Sequence, residues 1–181
     1  LQPLFAGRQL DLILTIAEPA THFCLRHRAA LFPDTPLLAH VDHRQMTLVT
    51  AATNATIAPV YIRIPVLMEN ILQLVPGTTN VVMVLGASPF ERAWADQCRR
   101  EFAVFTNRVT ISYLNDLPLA KMRDRVATLP AHSAVLYAML AVDAAGVPHE
   151  QEKALVSLQA AANAPIFGVF ESQLGQGIEI G

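Results

Sequence analysis

Charge is what this chain has least of. Asp, Glu, Lys and Arg make up 15% of its 181 residues, against roughly 25% in an ordinary soluble domain. The formal net charge is −2 and no basic cluster interrupts it, which argues against a nucleic-acid partner. Long hydrophobic runs are missing too. Although 52% of the residues are hydrophobic and mean hydropathy is +0.35, no stretch reaches the roughly 18 consecutive apolar residues of a membrane span. The apolar excess therefore belongs in a large core, at an interface, or on a face whose partner lies elsewhere. Cysteine is scarce: Cys24 and Cys98 are the only two. Each falls on the apolar face of a predicted helix, which suits buried free thiols better than a disulfide. No charged segment leads into an apolar one after Leu1, so no signal peptide is legible.

Catalytic signatures are equally sparse. No G-x-G-x-x-G follows a strand and no G-x-x-x-x-G-K-[ST] is present, so neither a dinucleotide fingerprint nor a phosphate loop is available. Gly86-Ala87-Ser88-Pro89-Phe90 begins like a nucleophile elbow but has Phe where the second glycine belongs. The acidic cluster and lysine of a phospho-receiver are not visible either. His22 and His27 are five apart and share no helix face, and His40 and His43 flank Asp42 on a strand end where they point differently. Without a third ligand at suitable spacing, no metal site and no cofactor are expected. The residues read as non-catalytic.

What is there is a repeated unit of buried strand, small-residue turn and amphipathic helix. Its clearest copy is Asn80 to Trp94, NVVMVLGASPFERAW. A continuous apolar run fits a strand covered on both faces, as in a parallel sheet wrapped by helices. Pro89 suits a first helical turn. The fold class is therefore α/β, with mostly parallel, Rossmann-like sheets whose ligands gather at the strands' carboxyl ends.

Along the chain, strands are expected at 10–17, 37–41, 56–62, 81–86, 109–114, 133–139 and 165–170. Helices are expected at about 21–31, 64–75, 90–105, 119–129 and 149–162. In the first helix Ala20, Phe23, Cys24, His27 and Leu31 form one stripe, read as its core face. Residues 42–54 are polar and weakly patterned. The division expected is a partial first lobe at 1–43, a connection at 44–55, a second lobe at 56–172 and an exit segment at 173–181. Two strands joined by one crossover cannot form a stable sheet, so a β-α-β-α stretch is expected ahead of Leu1. The first lobe looks incomplete, and its uncovered edge makes a homodimer the expected assembly.

Four segments together are similar to one family: Asp11–Ala20 (DLILTIAEPA), Leu25–Arg28 with Leu31-Phe32-Pro33, Gly86–Trp94 (GASPFERAW) and Ala160–Gly168 (AAANAPIFG). The chain resembles the ABC-transporter substrate-binding-protein-like family, in the form found as the extracytoplasmic sensor region of bacterial histidine kinases. The resemblance runs in register along nearly the whole chain. It implies a type I periplasmic-binding-protein fold, two Rossmann-like lobes with a small-molecule cleft between them. It also implies a place on the periplasmic side of the inner membrane, in a membrane-anchored parent whose kinase module lies outside these residues. The same lobes would serve a solute-binding component of an ABC importer. A cytoplasmic Rossmann-like enzyme, or the effector domain of a transcription regulator, is the reading from a different class.

Candidate ligand residues are those in the turns after the strands: Glu18, Asp42, Ser88, Phe90, Asp143, Glu171 and Ser172. Ser88 offers a hydroxyl and a helix-start N–H, though capping the helix ahead of Pro89 would use the same groups. Phe90 would cover an apolar part of a solute or head the helix's core stripe. Glu18 ends a buried-looking strand beside Pro19, where an unpaired carboxylate is costly unless it faces solvent or a ligand. Asp42, Asp143, Glu171 and Ser172 occupy equivalent turns. Arg92 in a first helical turn opposes the helix dipole and calls for a partner.

Overall fold

The computed structural model describes residues 9–50, 52–175 and 178; the other residues of the 1–43 lobe, the 44–55 connection and the 173–181 exit lie outside it. The chain divides after Ile62 into two compact units, each an α/β assembly around its own parallel sheet.

The first unit carries β1 (Ile13–Ile16), α1 (Ala17–Leu31), β2 (Leu37–Asp42) and β3 (Ala55–Val60), in sheet order β1-β2-β3. Here the expected boundary is corrected. The third strand belongs to this unit, paired along β2 from Leu37↔Ala55 to Asp42↔Val60. The stretch assigned to a connection between lobes holds a 3-10 turn (His43–Gln45) and a helical turn (Thr47–Thr50), forming the β2–β3 crossover. Both crossovers travel in one direction, so right-handed connections place them on one face. That face buries Ala39, Val41 and Val49 against Leu25, Ala55 and Ile57. Residues alternate across a strand, and on the other face Leu12, Leu14, Ile16 and His40 are exposed. One-sided cover is why β3 reads as half exposed and why Pro59 is tolerated there, on an edge strand.

The stripe of α1 is also corrected. Its buried residues are Thr21, Cys24 and Arg28, while Ala20, Phe23 and His27 are exposed. They line a groove of about 480 Å³ with Leu12, Ile13 and Leu31, beside β1, the end strand of the sheet among the described residues. Arg28 stands in for a larger core. Its guanidinium donates to the carbonyls of Thr35, Thr53 and Asn54, each at 3.0 Å, gathering the loops that enter β2 and β3.

The second unit begins with a helix: α2 (Ile64–Leu74), β4 (Asn80–Leu85), α3 (Pro89–Phe102), β5 (Thr110–Tyr113), α4 (Leu119–Val126), β6 (Ser133–Met139), α5 (Gln151–Gln159) and β7 (Ile166–Gly168). Its sheet order is β5-β4-β6-β7, a doubly wound arrangement in which the chain steps one way from β4 to β5 and then returns past β4 to β6. Opposite directions of travel put α3 on one face and α4 and α5 on the other. Val82 and Val84 accordingly pack with Met122, Val126, Leu155 and Leu158. Their neighbours Val81, Met83 and Leu85 face the other way and are just as buried. Both cysteines are buried, and no disulfide joins them. Among the described residues no helix is long and apolar enough to cross a membrane.

Candidate functional site

In the first unit the strand ends hold two of the anticipated residues. β1 passes into α1 without a loop: Ala17 takes φ +67°, and Glu18 is already in the first turn. There its carboxylate is placed well against the helix dipole, and His22 Nε2 lies 3.3 Å away. Asp42 is more committed. It accepts from the Arg44 backbone N–H at 2.9 Å and from Arg44 Nε and Nη2 at 2.8 and 3.1 Å, while Nη2 also donates to the Ile62 carbonyl at 2.8 Å. His43 Nδ1 lies 3.3 Å from Asp42 Oδ1 but off a hydrogen-bonding line, so this buried nitrogen lacks a hydrogen-bond partner. The ring stacks on Tyr61 at 4.7 Å and 22°. Tyr61 is exposed and follows β3 directly. The pattern of residues 56–62 predicts strand throughout and so conceals Tyr61; with the strand ending at Val60 it stands as a strand-end aromatic.

In the second unit Ser88 caps α3. Its Oγ accepts from the Glu91 N–H at 3.3 Å and its own N–H donates to Glu91 Oε2 at 3.0 Å, a capping box. The hydroxyl proton stays free to donate. Glu91 is wholly buried, and its Oε1 accepts from the Ala141 N–H at 2.7 Å. The same carboxylate lies against Gly86, where a Cβ would collide with it. Burial, and secondarily the charge of Glu91, push the nearby Tyr137 hydroxyl's pKa upward; that hydroxyl donates to the Gln151 carbonyl at 3.1 Å. Arg92 finds its partner in the Ala87 carbonyl, with Nε at 2.7 Å.

Phe90 is half-buried and its ring centroid lies 6.4 Å from that of Trp94. Trp94 in turn lies 5.7 Å from Phe170, which follows β7 and is also half-buried. Glu171 and Ser172, both exposed, continue from Phe170 in a 3-10 turn. The fold thus brings Phe90 and Phe170 onto one tryptophan, with Glu171 and Ser172 next to it. Gln173, placed by the sequence in the exit segment, anchors this turn. Its Oε1 accepts from the Val169 and Phe170 N–H groups at 2.8 and 3.0 Å, and Nε2 donates to the Ala138 carbonyl at 2.8 Å. It passes so close to Gly168 that a Cβ there would lie 2.6 Å from Oε1.

Asp143 is taken up by the protein's own donors. It is 4% exposed and accepts four hydrogen bonds: from the Leu119, Ala145 and Val147 N–H groups at 3.0, 2.9 and 3.1 Å and from His149 Nε2 at 2.9 Å. Burial alone would raise its pKa, but these donors together outweigh burial and hold it at about 2. The residue is a loop organiser that fastens the 143–149 turn to the start of α4.

No family model matches the sequence, and no curated protein matches it. The fold is similar to that of a solved structure, a "conserved domain protein" from Vibrio cholerae O1 biovar El Tor strain N16961, with 17% sequence identity and a TM-score of 0.66. The match covers 97% of this chain and 58% of the Vibrio chain. At that identity the likeness shows the α/β fold.

Proposed function

We propose that this chain is a solute-binding sensor region, the extracytoplasmic ligand-sensing part of a bacterial sensor histidine kinase, and that a small molecule settles at the carboxyl ends of its parallel strands. One observation carries the binding reading. Phe90 and Phe170, both half-buried, pack on the buried Trp94; Ser88 lies two residues before Phe90 in the chain, and Glu171 and Ser172, both exposed, directly follow Phe170. Aromatic cover with a few orienting polar groups is what a small-solute site needs. The sensory assignment is supported by the resemblance of the Asp11–Ala20, Gly86–Trp94 and Ala160–Gly168 segments to that kinase-associated family. Kinase activity belongs to the parent chain, and the solute acts by favouring the conformation it binds more tightly.

A thermal-shift panel of amino acids, sugars and small aromatic or carboxylic solutes tests the reading. A true ligand at 100 times its dissociation constant stabilises by about 2.7 kcal/mol, a rise in melting temperature on the order of 5–10 °C for a chain of this size. If no member of the panel moves the transition, the binding reading fails.

A further inference from the structure

We propose that the solute received at Phe90, Trp94 and Phe170 is an organic cation of the alkylammonium class, an inference that rests on the binding reading above and narrows it. The three rings meet in series. Phe90 stands 6.4 Å and Phe170 5.7 Å from Trp94, centroid to centroid, inclined to the indole by 41° and 43°. At those tilts neither phenyl ring is stacked flat, so its face is not consumed against the indole. An aromatic face carries the negative part of the ring's quadrupole. A cation within about 6 Å of the ring centre is attracted to it, more strongly where water is partly excluded. Phe90 and Phe170 are half-buried, which supplies that partial exclusion.

The acids beside these rings lack counter-ions. Glu91 follows Phe90 in the chain and is wholly buried, and Glu171 follows Phe170 and is exposed. Glu91 is held by the neutral N–H groups of Ser88 and Ala141. Among the described residues neither acid forms an ion pair. The buried charge is felt nearby: after burial itself, it is what raises the pKa of the Tyr137 hydroxyl. Arg92, the cation closest in sequence, is committed elsewhere. Its Nε donates to the Ala87 carbonyl at 2.7 Å, and its position is about 200° around α3 from that of Phe90. Arg99 and Arg100 stand in the last turn of the helix. An anion would therefore enter a field of its own sign, where the Ser88 and Ala141 N–H groups already donate to Glu91. A neutral apolar solute would use the rings and leave both acids without a counter-charge. A cation engages the ring faces and the acids together. A buried carboxylate without a counter-ion is destabilising, and a positive charge docked close by offsets part of that.

Choline and neohexanol share a shape and differ in one central atom, a charged nitrogen against a neutral carbon, so the pair isolates the inference. Each is titrated into the whole chain, with benzoate as the anionic probe. The emission of Trp94, the single tryptophan, is the readout. Choline is expected to saturate the emission change with a dissociation constant about tenfold below that of neohexanol. Glu171→Gln is expected to weaken choline about threefold and leave neohexanol as it was. Raising salt from about 0.05 M to about 0.5 M should act in the same direction on the parent chain. Phe170→Leu keeps apolar bulk and removes a ring face, and is expected to erase most of the preference; the unliganded melting temperature of each variant is measured alongside. Equal affinities for choline and neohexanol, or tighter binding of benzoate than of choline, overturn the cation while the site stands. Silence of Trp94 toward all three probes overturns it too, and the thermal-shift panel then decides whether the binding reading survives.

Discussion

The carboxylate of Glu91 and the backbone N–H of Ala141, fifty residues apart in sequence, are joined by a 2.7 Å hydrogen bond. Through it the first turn of α3 is tied to the end of β6, while the other oxygen of Glu91 closes the capping box at Ser88. Glu91→Ala leaves both N–H groups without their acceptor and is expected to cost the second unit about 2–4 kcal/mol. Hydrogen exchange at the Ala141 amide reports it locally; exchange as slow as in the parent would contradict the assignment.

Gly86 is coupled to the same group. Gly86→Ala drives a methyl into the Glu91 carboxylate, an overpacking worth about 1–3 kcal/mol. In the Glu91→Ala background the added methyl has room, so the penalty should shrink. A double-mutant cycle in urea measures the coupling, and strictly additive losses would show that the two do not touch.

Asp143 gives a pH dependence with a definite sign. Its pKa falls from 3.8 to about 2 on folding, so the unfolded state binds the proton more readily. The stabilisation is complete above about pH 4 and is lost as pH falls toward 2, amounting to about 2 kcal/mol. Acid titration of stability should lose that component in Asp143→Asn, with the 143–149 turn the first region to exchange. An unchanged acid limb in the variant would remove Asp143 from the account.

Arg28 is expected to hold the first unit together. Arg28→Met strips donors from three carbonyls, at about 2–4 kcal/mol. Arg28→Lys keeps the charge but not the planar fork and should recover only part of it. Amides of Ala39 and Val41 should exchange faster while those of β4 do not change. Equal loosening in both sheets would point to a less local role.

The aromatic pair frames a binding test. Phe90→Ala and Phe170→Ala should each reduce the thermal shift given by any ligand found, measured against each variant's own unliganded transition. Trp94, the chain's single tryptophan, touches both rings and should change its emission on binding. Ligand affinity untouched by either substitution would move the site elsewhere.

The second unit was legible where burial is two-sided. Val81 to Leu85 announce a central strand by their unbroken apolar run, and Ser88-Pro89 with Glu91 announce the helix start. The first unit misleads for a physical reason. Phe23 and His27 share a stripe with Cys24, and a stripe is taken for a core face, yet here half of it borders an open groove. β3 reads as the start of something new because its sheet is covered on one side only. Asp143 shows a different limit. Its donors are backbone N–H groups from a tight turn and from the start of α4, and no side-chain spacing encodes where main-chain amides will converge. Tyr61 escapes because the strand pattern runs two residues past the strand's end at Val60, and Gln173 because it lies in a 3-10 turn beyond β7 that no side-chain periodicity signals.

In doubly wound sheets the crevice between the first strand and the strand to which the chain returns is where nucleotides and other anions are usually received. In the second unit that crevice lies between β4 and β6, and Glu91 fills it: the protein supplies its own anion from within. A phosphate arriving there would meet the Glu91 carboxylate, to which the Ser88 and Ala141 N–H groups already donate. This lobe shares its winding with nucleotide-binding sheets, while at its β4–β6 crevice the place of an anion is held by one of its own side chains.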